Sequence, residues 1–360
     1  MIESEKHREN LITIAHKIEK RWKRSPFDEK GNPMEDYLEY LSLMYDLETS
    51  EIVKHLGAFP NITSLREFAK QINRNQEKLQ NLLDGLDKKG FIAKIGGKYS
   101  LPSPLMVYDM PIIMTENYEG KNGKKFAELS RKFYEDGYYK RWETTEEGIP
   151  RTRILTVSEQ IEPGQKVVPL EEVYDIIDKY DTFSVMPCPC RARAEIEGIR
   201  KCKDKYPIHT CILFGIFAGS IAKKNDPNIK LITKEEVIKI TKEAAEIGLL
   251  HLTQNNTETG FILCACCECC CGMLKGLTKF DNPRAVAKAN YIPKVDAELC
   301  VACGTCIDRC KFDAITVDAV AEMDEKRCIG CGLCAVTCPQ EAIKMVRLER
   351  EVIAKNNWSF

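Results

Sequence analysis

Ala297-Glu-Leu-Cys-Val-Ala-Cys-Gly-Thr-Cys-Ile-Asp-Arg-Cys-Lys-Phe-Asp-Ala-Ile315 is followed by Glu325-Lys-Arg-Cys-Ile-Gly-Cys-Gly-Leu-Cys-Ala-Val-Thr-Cys-Pro-Gln-Glu-Ala-Ile343. The segments are copies of one pattern, 28 residues apart (Cys300 to Cys328). Each carries Cys-x2-Cys-x2-Cys-x3-Cys: Cys300, Cys303, Cys306 and Cys310, then Cys328, Cys331, Cys334 and Cys338. Cysteines at i, i+3 and i+6 let a tight loop wrap three thiolates around one centre, while a fourth approaches from elsewhere. Gly304 and Gly332 each follow the second cysteine of a run. A missing Cβ there permits close backbone approach and lets amide N–H groups point at sulfur.

This spacing resembles that of bacterial-type two-cluster ferredoxins. The resemblance covers residues 291–348, about a sixth of the chain. It implies two 4Fe–4S clusters with crossed ligation. Cys300, Cys303, Cys306 and Cys338 would hold the first, and Cys328, Cys331, Cys334 and Cys310 the second. One position departs from the pattern: Cys338 precedes Pro339, whereas Cys310 precedes Lys311. That changes backbone and charge beside the second cluster and leaves its ligands intact. A pair of zinc knuckles is the competing reading, but zinc needs four ligands per site and not this doubled run. Clusters of this type serve one-electron transfer at potentials from about −700 to +450 mV, set by hydrogen bonds, charge and solvent.

All 18 cysteines lie beyond residue 187. The N-terminus is charged, no apolar stretch follows it, and no run approaches the roughly 20 residues that span a bilayer. The expected compartment is therefore the cytoplasm. In a reducing compartment, clustered cysteines read as metal ligands and not as disulfides. So many oxidisable thiols also suit an anoxic cell. A formal net charge of −1 argues against broad nucleic-acid affinity.

Ten cysteines precede the repeat. Cys188, Cys190, Cys202 and Cys211 form one set, either a site of their own or a contribution to sites shared with the later run; Cys264, Cys266, Cys267, Cys269, Cys270 and Cys271 crowd into eight residues. Neighbouring side chains diverge on any regular backbone. Cys266 and Cys267 therefore do not easily serve one small site, nor do all of Cys269, Cys270 and Cys271. The run splits its ligands between two sites or supplies spare thiols. The combination of Cys188-Pro-Cys-Arg191 with the later cysteines resembles multidomain iron–sulfur proteins of anaerobes. Cys270-Cys271-Gly272 is similar to the short Cys-Cys-Gly element of heterodisulfide-reductase-type domains. The expectation is at least one additional iron–sulfur cluster, with zinc as the lesser alternative. Arg191, Arg193 and Lys201 would offset negative charge or form a solvated face, and His209 and His251 read as ordinary packing residues more than as ligands.

Residues 64–72 and 78–89 carry helical apolar stripes, Gly90 stops the second, and Phe91–Ile95, Gly96-Gly97 and Lys98–Leu101 read as a hairpin. Helix, turn, helix and hairpin resemble a winged helix over residues 36–107. The second helix mixes Glu77, Asp84 and Asp87 with Lys78, Lys88 and Lys89, so it is neutral where a DNA reader is basic. A docking or homodimerisation role for this part is preferred to nucleic-acid binding. Further helices are expected at Phe126–Tyr139, Pro169–Tyr180 and, after a Thr233/Glu236 capping box, to Ile247; strands are expected at 183–186, 248–252 and 260–263. No dinucleotide or P-loop fingerprint and no Gly-x-Ser-x-Gly element occurs.

The fold class is thus α+β and multidomain. A winged-helix-like region spans 1–110, a connecting region 111–180, a Cys-rich α/β middle domain 181–290, a two-cluster ferredoxin-like module 291–348 and a tail 349–360. The leading functional expectation is an iron–sulfur electron-transfer protein or subunit, working with a redox protein or oxidoreductase subunit. A redox-sensing winged-helix regulator and a reductase with a catalytic cluster in the middle domain are the alternatives.

Overall fold

Ser64 starts one of the helices of the N-terminal part. Its hydroxyl accepts from the amide of Glu67, and Glu67 reaches back to the Ser64 amide, closing a capping box on the helix Leu65–Gln71. The computed structural model describes residues 1–157, 173–256 and 260–348. The start of the helix expected from Pro169, with Glu171 and Glu172, lies outside the described residues, as does the tail 349–360. The part of that helix within them runs Val173–Ile177.

Helices Glu5–Trp22, Glu35–Met44 and Leu47–Val53 come first. Ser4 and Asp46 cap the first and third by accepting the orphan amides of His7 and Thr49. Asn75 caps Gln76–Lys88, which buries Leu79, Leu83 and Leu86. Gly90 turns the chain at φ 74°, where an added Cβ would lie 2.7 Å from the Met110 Cβ. Strands β1 (Thr63–Ser64), β2 (Ala93–Ile95) and β3 (Lys98–Ser100) form an antiparallel sheet in the order β1-β3-β2. Gly96 and Gly97, both at positive φ, make the β2–β3 turn.

The helix expected over Phe126–Tyr139 is broken. It runs Gly123–Phe133, passes through one π-helical turn at Tyr134–Tyr138, and resumes as Tyr139–Glu143. Gly137 takes φ 125°, which a helical ladder cannot accommodate. The break brings Tyr134, Tyr138 and Trp142 around Tyr108, with ring centroids 5.9, 5.6 and 4.7 Å away. Packing of large rings overrides the local periodicity here.

Strands β4 (Thr152–Leu155), β5 (Phe183–Pro187), β6 (His209–Phe214), β7 (Lys230–Ile232), β8 (Leu250–Gln254) and β9 (Ile262–Cys266) build a six-stranded sheet. Their order is β4-β8-β9-β6-β5-β7. Every pairing among them is antiparallel, so this part is α+β and not α/β as expected. Parallel pairing would need a crossover between sequential neighbours, and here the chain returns directly, as from β8 to β9. Strand β4 falls in the stretch read as connecting, yet it forms an edge of this sheet. Strand β9 begins two residues later than expected and extends to Cys266. It thereby carries Cys264 and Cys266 on one face.

In the C-terminal part, β10 (Tyr291–Val295) pairs with β13 (Ile343–Arg347), and β11 (Ile315–Val317) with β12 (Ala321–Met323). The end of β4 fastens this part to the larger sheet: Thr156 Oγ1 donates to Gly330 O at 2.8 Å, and the Val157 amide to Cys331 O at 3.2 Å. One hydrophobic cluster runs from Leu11 and Tyr40 through Phe133 and Leu252 to Ile329 and Leu333.

Helix Gly272–Thr278 packs on Glu143, whose buried carboxylate accepts from Tyr134 Oη at 3.0 Å and Asn282 Nδ2 at 2.6 Å. Burial pushes this carboxyl up to about 7. An acid with a raised folded-state pKa holds its proton more tightly folded than unfolded. Its contribution is therefore complete at low pH and is lost as pH rises from 4.5 towards about 7. That loss is on the order of 3 kcal/mol. Glu143→Gln should flatten the apparent melting temperature across that window. A Cβ on Gly276 would overlap the Ala285 Cβ and the Glu143 carboxylate. Gly276→Ala should therefore destabilise by about 1–3 kcal/mol, read by the same melts.

Candidate metal centres

The eight C-terminal cysteines surround two small cavities. One is lined by Cys300, Cys303, Cys306 and Cys338, the other by Cys310, Cys328, Cys331 and Cys334. Gly304 (φ 77°) and Gly332 (φ 80°) let the loops turn into the short helices Thr305–Arg309 and Leu333–Val336. Backbone amides reach sulfur in both cradles: Ala321 to Cys300 at 3.5 Å, Ala342 to Cys338 at 3.3 Å, Ala314 to Cys310 and Gly330 to Cys328 at 3.4 Å. Such donors stabilise thiolate and tune cluster potential. Soft thiolates with amide donors are the donor set that iron–sulfur clusters require.

The cradles differ in environment. Cys303 is exposed, and Leu299, Val301 and Ile307 stand exposed around it. The Cys303 thiol accepts from the hydroxyl and amide of Thr305, which hold it below its usual range. At the second cradle, burial pushes the Cys331 thiol up to about 12. A proton leaves such a thiol when a metal takes its place.

The ten middle cysteines fall into two groups. Cys202, Cys267, Cys269 and Cys270 form a knot whose Sγ atoms all lie within 4.8 Å of one another. Cys202 is 3.9 Å from Cys267 and 3.7 Å from Cys270, and Cys269 is 3.7 Å from Cys270. Cys202 comes from the turn after helix Pro189–Ile196, and the other three from the bend between β9 and helix Gly272–Thr278.

The remaining six thiols run side by side from Cys188 through Cys190, Cys271, Cys266 and Cys264 to Cys211. Cys188 and Cys190 open helix Pro189–Ile196, and Cys271 opens the next. Cys211 on β6 is the cross-strand partner of Cys264 on β9. Cys266 and Cys267 thus go to different groups, as do Cys270 and Cys271. Side chains along an extended strand alternate in direction, and β9 sends Cys264 and Cys266 to the side away from the knot.

Arg191 lies between the groups. It is fully buried and donates to Thr210 Oγ1 and to Ala265 O. The charge-bearing groups that act on it most are Cys188, Cys267 and Cys266. Arg193 is also buried. It donates to Tyr108 O at 2.9 Å and Ser130 Oγ at 2.8 Å, and lies 3.5 Å from Asp109. Burial pushes the Asp109 carboxyl up to about 6, against the pull of Arg193. Lys201, by contrast, is exposed.

A cavity of about 150 Å³ opens beside the six-thiol run and is lined by all six of these cysteines with Tyr108, Asp109, Tyr134, Trp142 and Arg193. Four of those five come from the Cys-free half, where no spacing or motif marks them. His209 is exposed at the start of β6, and His251 lines a crevice with Val157 and Thr241; neither lines the cavity.

A family model described as a 4Fe-4S dicluster domain matches residues 293–345, which contain all eight cysteines of the two cradles. A search of curated proteins returns no match. The dicluster domain and the separate group at Cys202, Cys267, Cys269 and Cys270 support multiple iron–sulfur clusters and an iron–sulfur electron-transfer role. Among the described residues, no helix is long and apolar enough to cross a membrane.

In metal-free chain at neutral pH, alkylation should mark Cys303 well before Cys331, because thiolate fraction and access set the rate. Time-resolved peptide mapping by mass spectrometry reads the order.

Proposed function

We propose that this chain is an iron–sulfur electron-transfer protein that relays electrons between a redox protein docked on the Cys303 face and its own Cys-rich middle region. The observation that carries this reading is an ion pair. Lys311 Nζ lies 3.5 Å from Glu268 Oε1. Lys311 follows Cys310 of the second cradle, and Glu268 sits between Cys267 and Cys269 of the knot. The two metal-binding regions are therefore neighbours. When bound, the clusters supply one-electron chemistry.

The residues have separable roles. Cys300, Cys303, Cys306 and Cys338 would hold the outer cluster, and Cys310, Cys328, Cys331 and Cys334 the inner one. The exposed Leu299, Val301 and Ile307 would seat the redox partner, since a small apolar patch with a polar rim suits transient docking. Iron is the expected metal of the knot, with zinc as the alternative. Arg309 donates to Ala245 O at 2.7 Å and also to Glu246 O, at the end of helix Lys234–Ile247. That contact holds the inner cradle against the middle sheet.

The winged-helix-like region is assigned a docking role. In its second helix, Asp84 pairs with Lys94 at 2.7 Å and Asp87 with Lys224 of the middle region at 2.5 Å. The acids thus tie this helix to its own chain, which supports docking over DNA binding. A second reading, a reductase acting at the middle region, is favoured by one observation: the cavity beside the six thiols.

Iron and acid-labile sulfide per chain, with EPR of the reduced protein, test the main reading; a chain reconstituted without oxygen that holds neither would overturn it. Lys311→Ala removes a cation beside the inner cradle and should lower that cluster's midpoint potential by on the order of tens of millivolts. Glu268→Gln frees the cation and should raise it. Potentiometric EPR titration reads both signs.

A further inference from the structure

We propose that Cys188, Cys190, Cys211, Cys264, Cys266 and Cys271 form a metal site of their own, separate from the knot, which takes a polynuclear iron–sulfur cluster. The proposal rests on reading the chain as an iron–sulfur protein, and goes beyond it by assigning a site to these six residues.

Spacing is the first argument. Thiolates around a single tetrahedral ion, with bonds of about 2.3 Å, lie about 3.8 Å apart. The knot has this spacing, at 3.7–3.9 Å for its closest pairs. The six-thiol run does not: no three of its Sγ atoms lie within 4.8 Å of one another. The same holds for the two ferredoxin-like cradles, whose thiols are spread to reach different irons. The six thiols therefore share the wide spacing of the cradles and not the tight spacing of the knot.

Placement is the second argument. The six come from two helix starts and two adjacent strands, β6 and β9, and all line one cavity of about 150 Å³, which of the knot's four thiols only Cys270 reaches. A single zinc ion needs four ligands and no such space.

Charge is the third. Arg191 has 0% exposure; besides the neutral Thr210 and Ala265, it hydrogen-bonds the Cys267 thiol of the knot. No carboxylate among the described residues pairs with it. Burying a lone guanidinium is costly unless anions surround it. Thiolates bound to metal on both sides of Arg191 supply that charge: Cys188 and Cys266 from the six, Cys267 from the knot.

The test uses the full chain, reconstituted with iron and sulfide without oxygen. Two double variants are compared with the parent, Cys264→Ala/Cys266→Ala and Cys202→Ala/Cys270→Ala. Iron, zinc and acid-labile sulfide per chain are measured, and EPR of the ferredoxin-like clusters serves as internal control. The first variant should lose iron and sulfide together, two or more of each, with the control signals kept. The second should lose the knot's metal and keep the iron and sulfide of the six-thiol site. If the first variant keeps the parent's iron and sulfide while the control signals persist, the six-thiol site is refuted. If the parent lacks the control signals, the electron-transfer reading itself has failed. Where a double variant fails to fold and loses all signals, the single variants Cys211→Ala and Cys264→Ala replace it, with the same two outcomes.

Discussion

Arg191 imposes a demand that organises the middle of the molecule: a guanidinium shut away from water needs anions close by. Its helix is held by the bonds it makes to Thr210 on β6 and to Ala265 on β9. Those strands carry Cys211, Cys264 and Cys266, and its own helix begins with Cys188 and Cys190. The cation therefore serves as both a tie across the sheet and the counter-charge of the sulfur around it. Neither role works alone. A tie without thiolates leaves a bare buried charge, and thiolates without the cation repel one another in a medium of low dielectric.

The parts that could be read from the residues are those where the local rule and the tertiary outcome agree. Ser64 with Glu67 and Thr233 with Glu236 announce helix starts, and both close as capping boxes. Gly96 and Gly97 announce a hairpin, and it forms. The separation of Cys266 from Cys267 follows from side-chain alternation and needs no tertiary knowledge. The π-helical turn at Tyr134–Tyr138 had no such signal, because rings from distant segments select it. Strand β9 extends past its apolar stretch because pairing with β6 and β8, and not the propensity of Ala265, carries it on to Cys266. Tyr108, Asp109 and Trp142 could not be linked to the cysteines at all, since only the folded chain brings the two halves together.

Lys311 shows how a small departure from a repeat can carry information. Its counterpart in the second copy is Pro339, which ends a chain segment without bearing charge. At the first copy a cation stands in that place and meets Glu268, inside the other cysteine-rich segment. The asymmetry faces the middle sheet, whereas the Cys303 end faces solvent. A duplicated module with one altered position thus acquires an inside and an outside.

The shared hydrophobic core has a consequence for assembly. Leu11, Tyr40, Phe126 and Phe133 belong to the same cluster as Leu252, Ile329 and Leu333. During synthesis the Cys-free segments leave the ribosome first, and domains fold as they emerge. The rings around Tyr108 have then all been made before the first thiol, Cys188. The cluster itself closes only when Leu252, Ile329 and Leu333 join it, so the core and the sulfur sites are completed together.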